Sequence, residues 1–209
     1  MEGRIGLAAI MVYACTVDID SFVVEDLDTQ TATHLWLGDS MLEGWGVHSS
    51  SDDSTLFNLV KEASVYSWKG MGRSSMTIKD VQSFMTTITA VQPEVVVVAL
   101  GTNDYLAAKS NATIQADYLA TINQIAAIPT VKKIYLLTIP PLTSYNTTVL
   151  NSYIATLDYT VIDVNPNMAA TATSWISLLS SDNIHPNIYA NYLNFQTLAQ
   201  AAPELLNPQ

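Results

Sequence analysis

Four short runs in this chain carry residue types that could do chemistry together. Gly38-Asp39-Ser40 offers a hydroxyl, and Asp182-Asn183-Ile184-His185 offers an imidazole with a carboxylate three residues before it. Between them lie Gly72 and Gly101-Thr102-Asn103-Asp104, whose backbone and side-chain N–H groups could bind an oxyanion. Serine acyl transfer needs these parts: a nucleophilic hydroxyl, a base for its proton, an acid to orient that base, and donors aimed at the developing charge. Each run alone is ordinary. A Gly-Asp-Ser turn is most often only a loop, Asp-x-x-His is common where helices start, and Gly and Asn favour turns after strands. Their joint occurrence points to chemistry.

Such parts must be brought together by regular elements. Residues 34–37 form a short apolar strand that stops at Gly38, and residues 55–63 place Leu56, Leu59 and Val60 on one helical face. Residues 64–68 read as a second strand ending at Gly70 and Gly72, followed by a helix over 78–90. Residues 95–100 are apolar throughout, as in a parallel strand buried on both faces. A helix over 114–128, a strand over 134–139 halted by Pro140-Pro141, a helix around 149–157, a strand over 161–164 and a final helix over 187–201 complete the alternation. A further short strand over 21–24 fits the N-terminal segment. The alternation predicts an α/β protein, a three-layer α/β/α sandwich around a five-stranded parallel sheet with right-handed crossovers. Function in such sheets gathers beyond the carboxyl ends of the strands. Ser40, Gly72 and Asn103 each follow a strand, and Asp182 and His185 follow the last one after a longer excursion.

In order and wording these blocks resemble the SGNH (GDSL-type) hydrolase family, over about residues 34–200. Leu37-Gly38-Asp39-Ser40 resembles the nucleophile block, and Lys69-Gly70-Met71-Gly72-Arg73-Ser74-Ser75 the glycine block, with Gly72 the better match. Leu100-Gly101-Thr102-Asn103-Asp104 resembles the asparagine block, and Asp182-Asn183-Ile184-His185-Pro186-Asn187 the closing block. The resemblance implies a flavodoxin-like sandwich and a serine ester hydrolase. Ser40 would be the nucleophile, His185 the base and Asp182 its orienting acid. The oxyanion hole would be the backbone amides of Ser40 and Gly72 with the side-chain amide of Asn103. A glycine at 72 would leave room for the substrate oxygen. Asn183 and Asn191 stand where relatives often carry glycine. The Gly-x-Ser-x-Gly elbow of the α/β-hydrolases is absent.

Around these residues, Trp45, Met71, Arg73 and Tyr105 are expected to line the substrate pocket, with Trp68 and Tyr145 near it; packing between loops is the competing reading for the aromatics. Asp39 and Asp104 are expected to brace loops, His34 to be structural and His48 to be solvated. Three dispersed histidines and one cysteine give no zinc-ligand spacing, so neither metal nor cofactor is expected. The expected substrate is a small-molecule or glycan acyl ester, short-chain or acetyl. Lipase, lysophospholipase or thioesterase action is the nearest enzymatic alternative, and a structural or adhesive module on the same fold is the other class.

The bulk of the chain narrows the partners. At 209 residues it is long enough for one well-buried domain. Its 49% hydrophobic and 13% charged content is that of a core-rich globular protein. The net charge is −11 and no basic residue follows Lys133, so a phosphate-tracking nucleic-acid groove is not expected. Residues 1–33 read as an apolar, then acidic arm, with the domain over 34–209. The apolar run 5–14 is shorter than the about 20 residues of a membrane span but fits a secretory core of roughly 7–15. With Cys15 it suggests a lipoprotein box in a secreted or cell-envelope protein. A retained arm that tethers the domain to a membrane, a virion or another assembly stands equally open.

Overall fold

Alternate residues of the central strands point to opposite faces, and this period of two builds the layers of the molecule. In the computed structural model, which describes residues 22–24, 32–45, 47, 54–142, 145–165 and 178–208, the strands are β1 (Phe22–Val24), β2 (His34–Gly38), β3 (Trp68–Arg73), β4 (Val95–Val98), β5 (Lys133–Leu137) and β6 (Thr160–Ile162). They form one sheet in the order β1-β3-β2-β4-β5-β6. The five strands from β2 to β6 are parallel, and β1 is an antiparallel edge strand on β3. Leu35, Leu37, Val96, Val98, Ile134 and Leu136 face one core, whereas Trp36, Val97, Tyr135 and Leu137 face the other.

Helices cover both faces. The first core is closed by a 3-10 turn (Lys79–Phe84), α2 (Met85–Val91), α4 (Asn111–Ala126) and α5 (Thr148–Ile154), which contribute Val81, Ile88, Ile114, Tyr118, Ile122 and Leu150. The second is closed by α1 (Leu56–Ala63) and α6 (Ile188–Ala201), through Phe57, Val60 and Leu198. Side-chain caps start the helices where the sequence offers Ser, Thr or Asn. Thr55 Oγ1 accepts from the Asn58 amide at 3.0 Å, Ser110 Oγ from Thr113 at 3.2 Å and Asn187 Oδ1 from Ala190 at 3.0 Å. No helix among the described residues is long and apolar enough to cross a membrane.

Three expectations are corrected. The second strand of the parallel set runs over Trp68–Arg73, not 64–68. Ser64 Oγ and the Val65 amide instead donate to carbonyls of the C-terminal turn at Leu205 and Leu206. The segment is thus held by the chain end, and pairing with β2 begins at Trp68 opposite His34. The helix read over 78–90 divides into the 3-10 turn and α2. The Gly101–Asp104 run leads directly into a short helix, α3 (Thr102–Leu106), although its Gly and Asn favour a turn. The arm over 1–33 and His48 lie outside the described residues, apart from β1 and residues 32–33.

Candidate active site

Ser40 sits in a tight turn immediately after β2. Asp39 makes that turn: its Oδ1 accepts the Met41 amide at 3.0 Å, and its carbonyl accepts the Leu42 amide at 2.9 Å. The Ser40 carbonyl then receives the Trp45 amide at 3.1 Å. A second tie comes from Ser74 Oγ, which donates to Glu43 Oε2 and joins the Ser40 turn to the loop after β3. Glu43 and Ser74 were not singled out in the sequence, because only the folded loops bring them together.

On the facing side, His185 and Asp182 lie in the loop before α6. The Ser180 amide donates to the His185 carbonyl at 2.8 Å, and the Asn183 amide to the Ser180 carbonyl at 3.0 Å. Asn183 has φ of 59°, in the left-handed region that Gly and Asn tolerate. Asparagine therefore does at 183 what glycine would do. Asp182 Oδ1 receives three donors: Ser180 Oγ at 2.7 Å, the Ile184 amide at 2.9 Å and the His185 amide at 3.0 Å. Its Oδ2 lies 2.6 Å from His185 Nδ1.

This loop delivers the imidazole to the serine. Ser40 Oγ is 2.8 Å from His185 Nε2, although 145 positions separate the two residues. A carboxylate can only accept, so the proton between Asp182 and His185 belongs on Nδ1. Nε2 is left with a lone pair facing the Ser40 hydroxyl. Burial would raise the Asp182 carboxyl, but the amide and ring of His185, the Ile184 amide and the Ser180 hydroxyl hold it well below the ordinary range. It stays ionised beside the imidazole at neutral pH.

Asn103 enters from α3, whose start depends on Gly101. Gly101 has φ of 132°, and a Cβ there would lie 2.7 Å from Leu150 Cδ2. Asn103 is buried, and its Nδ2 donates to the Met76 carbonyl at 3.1 Å and to Asp39 Oδ2 at 3.3 Å. Asp104 accepts from the Ile78 amide at 3.0 Å and from Lys109 Nζ at 2.7 Å. Neighbouring residues of one block thus clamp the loop that follows Gly72. Burial, the largest influence, pushes the Asp39 carboxyl up to about 6 against the lowering effect of the Met41 amide and His185.

Gly72 lies inside β3, paired with Gly38 of β2 and with Val23 of β1, rather than after the strand. A Cβ at 72 would run into the Gly38 carbonyl. Close strand contact by itself excludes a side chain there.

The residues expected around the pocket separate into two groups. Trp45 is half-exposed with its ring centroid 5.9 Å from that of His185, so it stands at the site. Arg73 ends β3, partly exposed, opposite Phe22. Met71 is 1% exposed and belongs to the core beneath the sheet, because alternation turns it inward. Tyr105 is also core: its hydroxyl accepts the Leu150 amide at 3.2 Å and its ring packs 6.1 Å from Tyr145. Trp68 packs against Trp36 and Phe57. His34 stacks on Tyr66 at 4.2 Å, as a structural residue would.

Beside the site a largely apolar pocket opens between the ends of the parallel strands and α6. Gly38, Asp39, Thr102 and Pro186 are in its wall, so it reaches chain neighbours of Ser40, Asn103 and His185.

Comparison with known proteins agrees with this architecture. Residues 36–190 match the model of the GDSL-like lipase/acylhydrolase family. Among solved structures, a lipase/acylhydrolase from Enterococcus faecalis superposes with a TM-score of 0.66 at 20% identity, covering 84% of this chain and 98% of that one. A psychrotrophic esterase from Pseudoalteromonas sp., inhibited by monoethylphosphonate, gives 0.65 at 17% identity, covering 84% and 99%. An acetylxylan esterase from Geobacillus stearothermophilus gives 0.59 at 15% identity, covering 86% and 98%. At these identities the likeness is one of fold. No curated protein sequence matches the chain.

Proposed function

Because the chain belongs to the GDSL-like lipase/acylhydrolase family, we propose that it is a carboxylic ester hydrolase working through Ser40, His185 and Asp182. The observation that carries this reading is the unbroken hydrogen-bonded run from Ser40 Oγ to His185 Nε2 at 2.8 Å and from Nδ1 to Asp182 at 2.6 Å. Ser40 Oγ attacks the ester carbonyl carbon while Nε2 takes its proton, giving a tetrahedral intermediate. Asp182 stabilises the imidazolium so formed. Collapse expels the alkoxide, which leaves as alcohol with the proton from His185. Water then attacks the acyl-enzyme by the same route, releasing the carboxylic acid and restoring Ser40.

The oxyanion falls to the backbone amides of Ser40 and Gly72 and to Asn103 Nδ2. Asn103 already spans Met76 and Asp39, and its bond to Asp39 is the longer of the two. Both N–H groups are fixed in one amide plane, so the bond to Met76 sets the direction of the other N–H, the one assigned here to the oxyanion.

For the substrate we favour short acyl esters of neutral alcohols, sugars included. Trp45 offers an exposed ring face beside the base, and a net charge of −11 disfavours anionic leaving groups. The apolar pocket suits a compact acyl group. Lipase-type action differs in one measurable respect, a preference for long chains across a series of p-nitrophenyl esters.

The mechanism is tested with a small fluorophosphonate, which needs no knowledge of the substrate. One adduct mapped to Ser40, lost in Ser40→Ala and slowed in His185→Ala, is the expected result. No adduct on folded protein would overturn the serine-hydrolase reading.

A further inference from the structure

We propose that Ser180 is a positioning residue that fixes the carboxylate plane of Asp182 against His185, an inference that rests on the serine-hydrolase reading above. Asp182 is an unusual place to anchor a base: its side chain is 38% exposed, whereas its partner His185 is buried. A carboxylate so open to water can rotate about its last torsion unless protein donors define its plane. Two of the three donors on Oδ1, the Ile184 and His185 amides, come from the chain after Asp182. Ser180 Oγ, at 2.7 Å, is the donor from the chain before it. Held from both directions, Oδ1 leaves Oδ2 facing Nδ1 at 2.6 Å.

The position of Ser180 is itself fixed by main chain. Its amide donates to the His185 carbonyl at 2.8 Å, and its carbonyl accepts the Asn183 amide at 3.0 Å. These bonds close the loop whatever side chain stands at 180. Ser180→Ala therefore deletes the hydroxyl and leaves the loop closure intact, and Ser180→Thr returns a hydroxyl to the same backbone.

The test reads the His185 Nδ1–H proton directly by NMR, alongside the rate of fluorophosphonate labelling at Ser40. A proton in a short bond to a carboxylate resonates far downfield and exchanges slowly. In Ser180→Ala that resonance should shift upfield and broaden by exchange with water. Labelling should slow roughly tenfold, the loss typical of one hydrogen bond to a charged group, and Ser180→Thr should recover most of both signals. The thermal midpoint is followed to show that the variants are folded. An unchanged resonance in folded Ser180→Ala would overturn the proposal, whatever the labelling rate, because water would then have replaced the hydroxyl without consequence. A wild-type protein that shows the resonance but takes no label would instead overturn the serine-hydrolase reading and leave the role of Ser180 toward Asp182 standing.

Discussion

In the proposed mechanism Asn103 meets two demands with one amide. Its bond to the Met76 carbonyl is buried structure, and its other N–H is the one assigned to the oxyanion. Removing an oxyanion donor costs about 2.7–4 kcal/mol of barrier, which is roughly a hundredfold to a thousandfold in rate. Stranding a buried carbonyl costs about 1–3 kcal/mol of stability. Asn103→Ala should therefore lose both, seen as a fall in kcat/KM on p-nitrophenyl acetate and a lower urea midpoint. Stability lost with kcat/KM intact would confine Asn103 to bracing the loop. Trp45 is expected to behave in the opposite way. It is half-exposed, so Trp45→Ala should leave stability nearly unchanged. Its effect should appear as a KM raised about fivefold on acetylated sugars, the loss of roughly 1 kcal/mol of aromatic contact. An equal effect on p-nitrophenyl acetate and on sugar esters would assign the ring to the base rather than to the leaving group.

At the scale of elements, the start of α3 shows how backbone conformation positions a side chain. Gly101 is held at a φ of 132° and has Leu150 of α5 packed where a Cβ would be. Gly101→Ala meets both penalties and should destabilise the fold by about 2–3 kcal/mol. It should also lower kcat/KM more than its stability loss predicts, because Asn103 lies two residues on; calorimetry and kinetics on the same preparation check this. Much of this architecture is legible in the sequence. Four successive valines announce β4 because both faces of that strand are buried, and Ser40, Asp182 and His185 stand out because each sits in a compact local motif. β3 was less legible, since Gly70 and Gly72 look like stops. In the fold they admit neighbours instead: Phe57 and Leu42 press on position 70, and the Gly38 carbonyl on position 72. Met71, between them, looked like a loop residue for the same reason and proves to be core. Ser180 had no signal at all, because its role exists only once the loop has closed on His185.

Across the whole molecule, two buried groups at opposite ends of β2 give pH dependences of opposite sign. Burial lifts Asp39 from 3.8 to about 6, so the native state holds its proton more readily than the unfolded chain. That contribution makes stability fall as pH rises from about 4 to about 6. His34 is lowered from 6.5 to about 4, by burial first and with Glu94 opposing. The native state here binds its proton less readily, so stability falls as pH drops from 6.5 toward 4. The two slopes nearly cancel, and the wild-type protein should show a flat stability profile between pH 4 and 6.5. Asp182 acts below this window, since a lowered carboxyl loses its contribution only as pH falls beneath the ordinary 3.8. Each slope can be exposed separately. Asp39→Asn removes the first and should leave a protein that loses stability on acidification. His34→Phe, which keeps a ring against Tyr66, should leave one that loses on the order of 2 kcal/mol as pH is raised from 4 to 6. Urea midpoints at half-unit steps from pH 4 to 7 decide the matter. Three parallel curves would mean that neither group changes its protonation on folding, whereas two curves crossing within the window, with the wild type between them, would locate the pH response of the fold in Asp39 and His34.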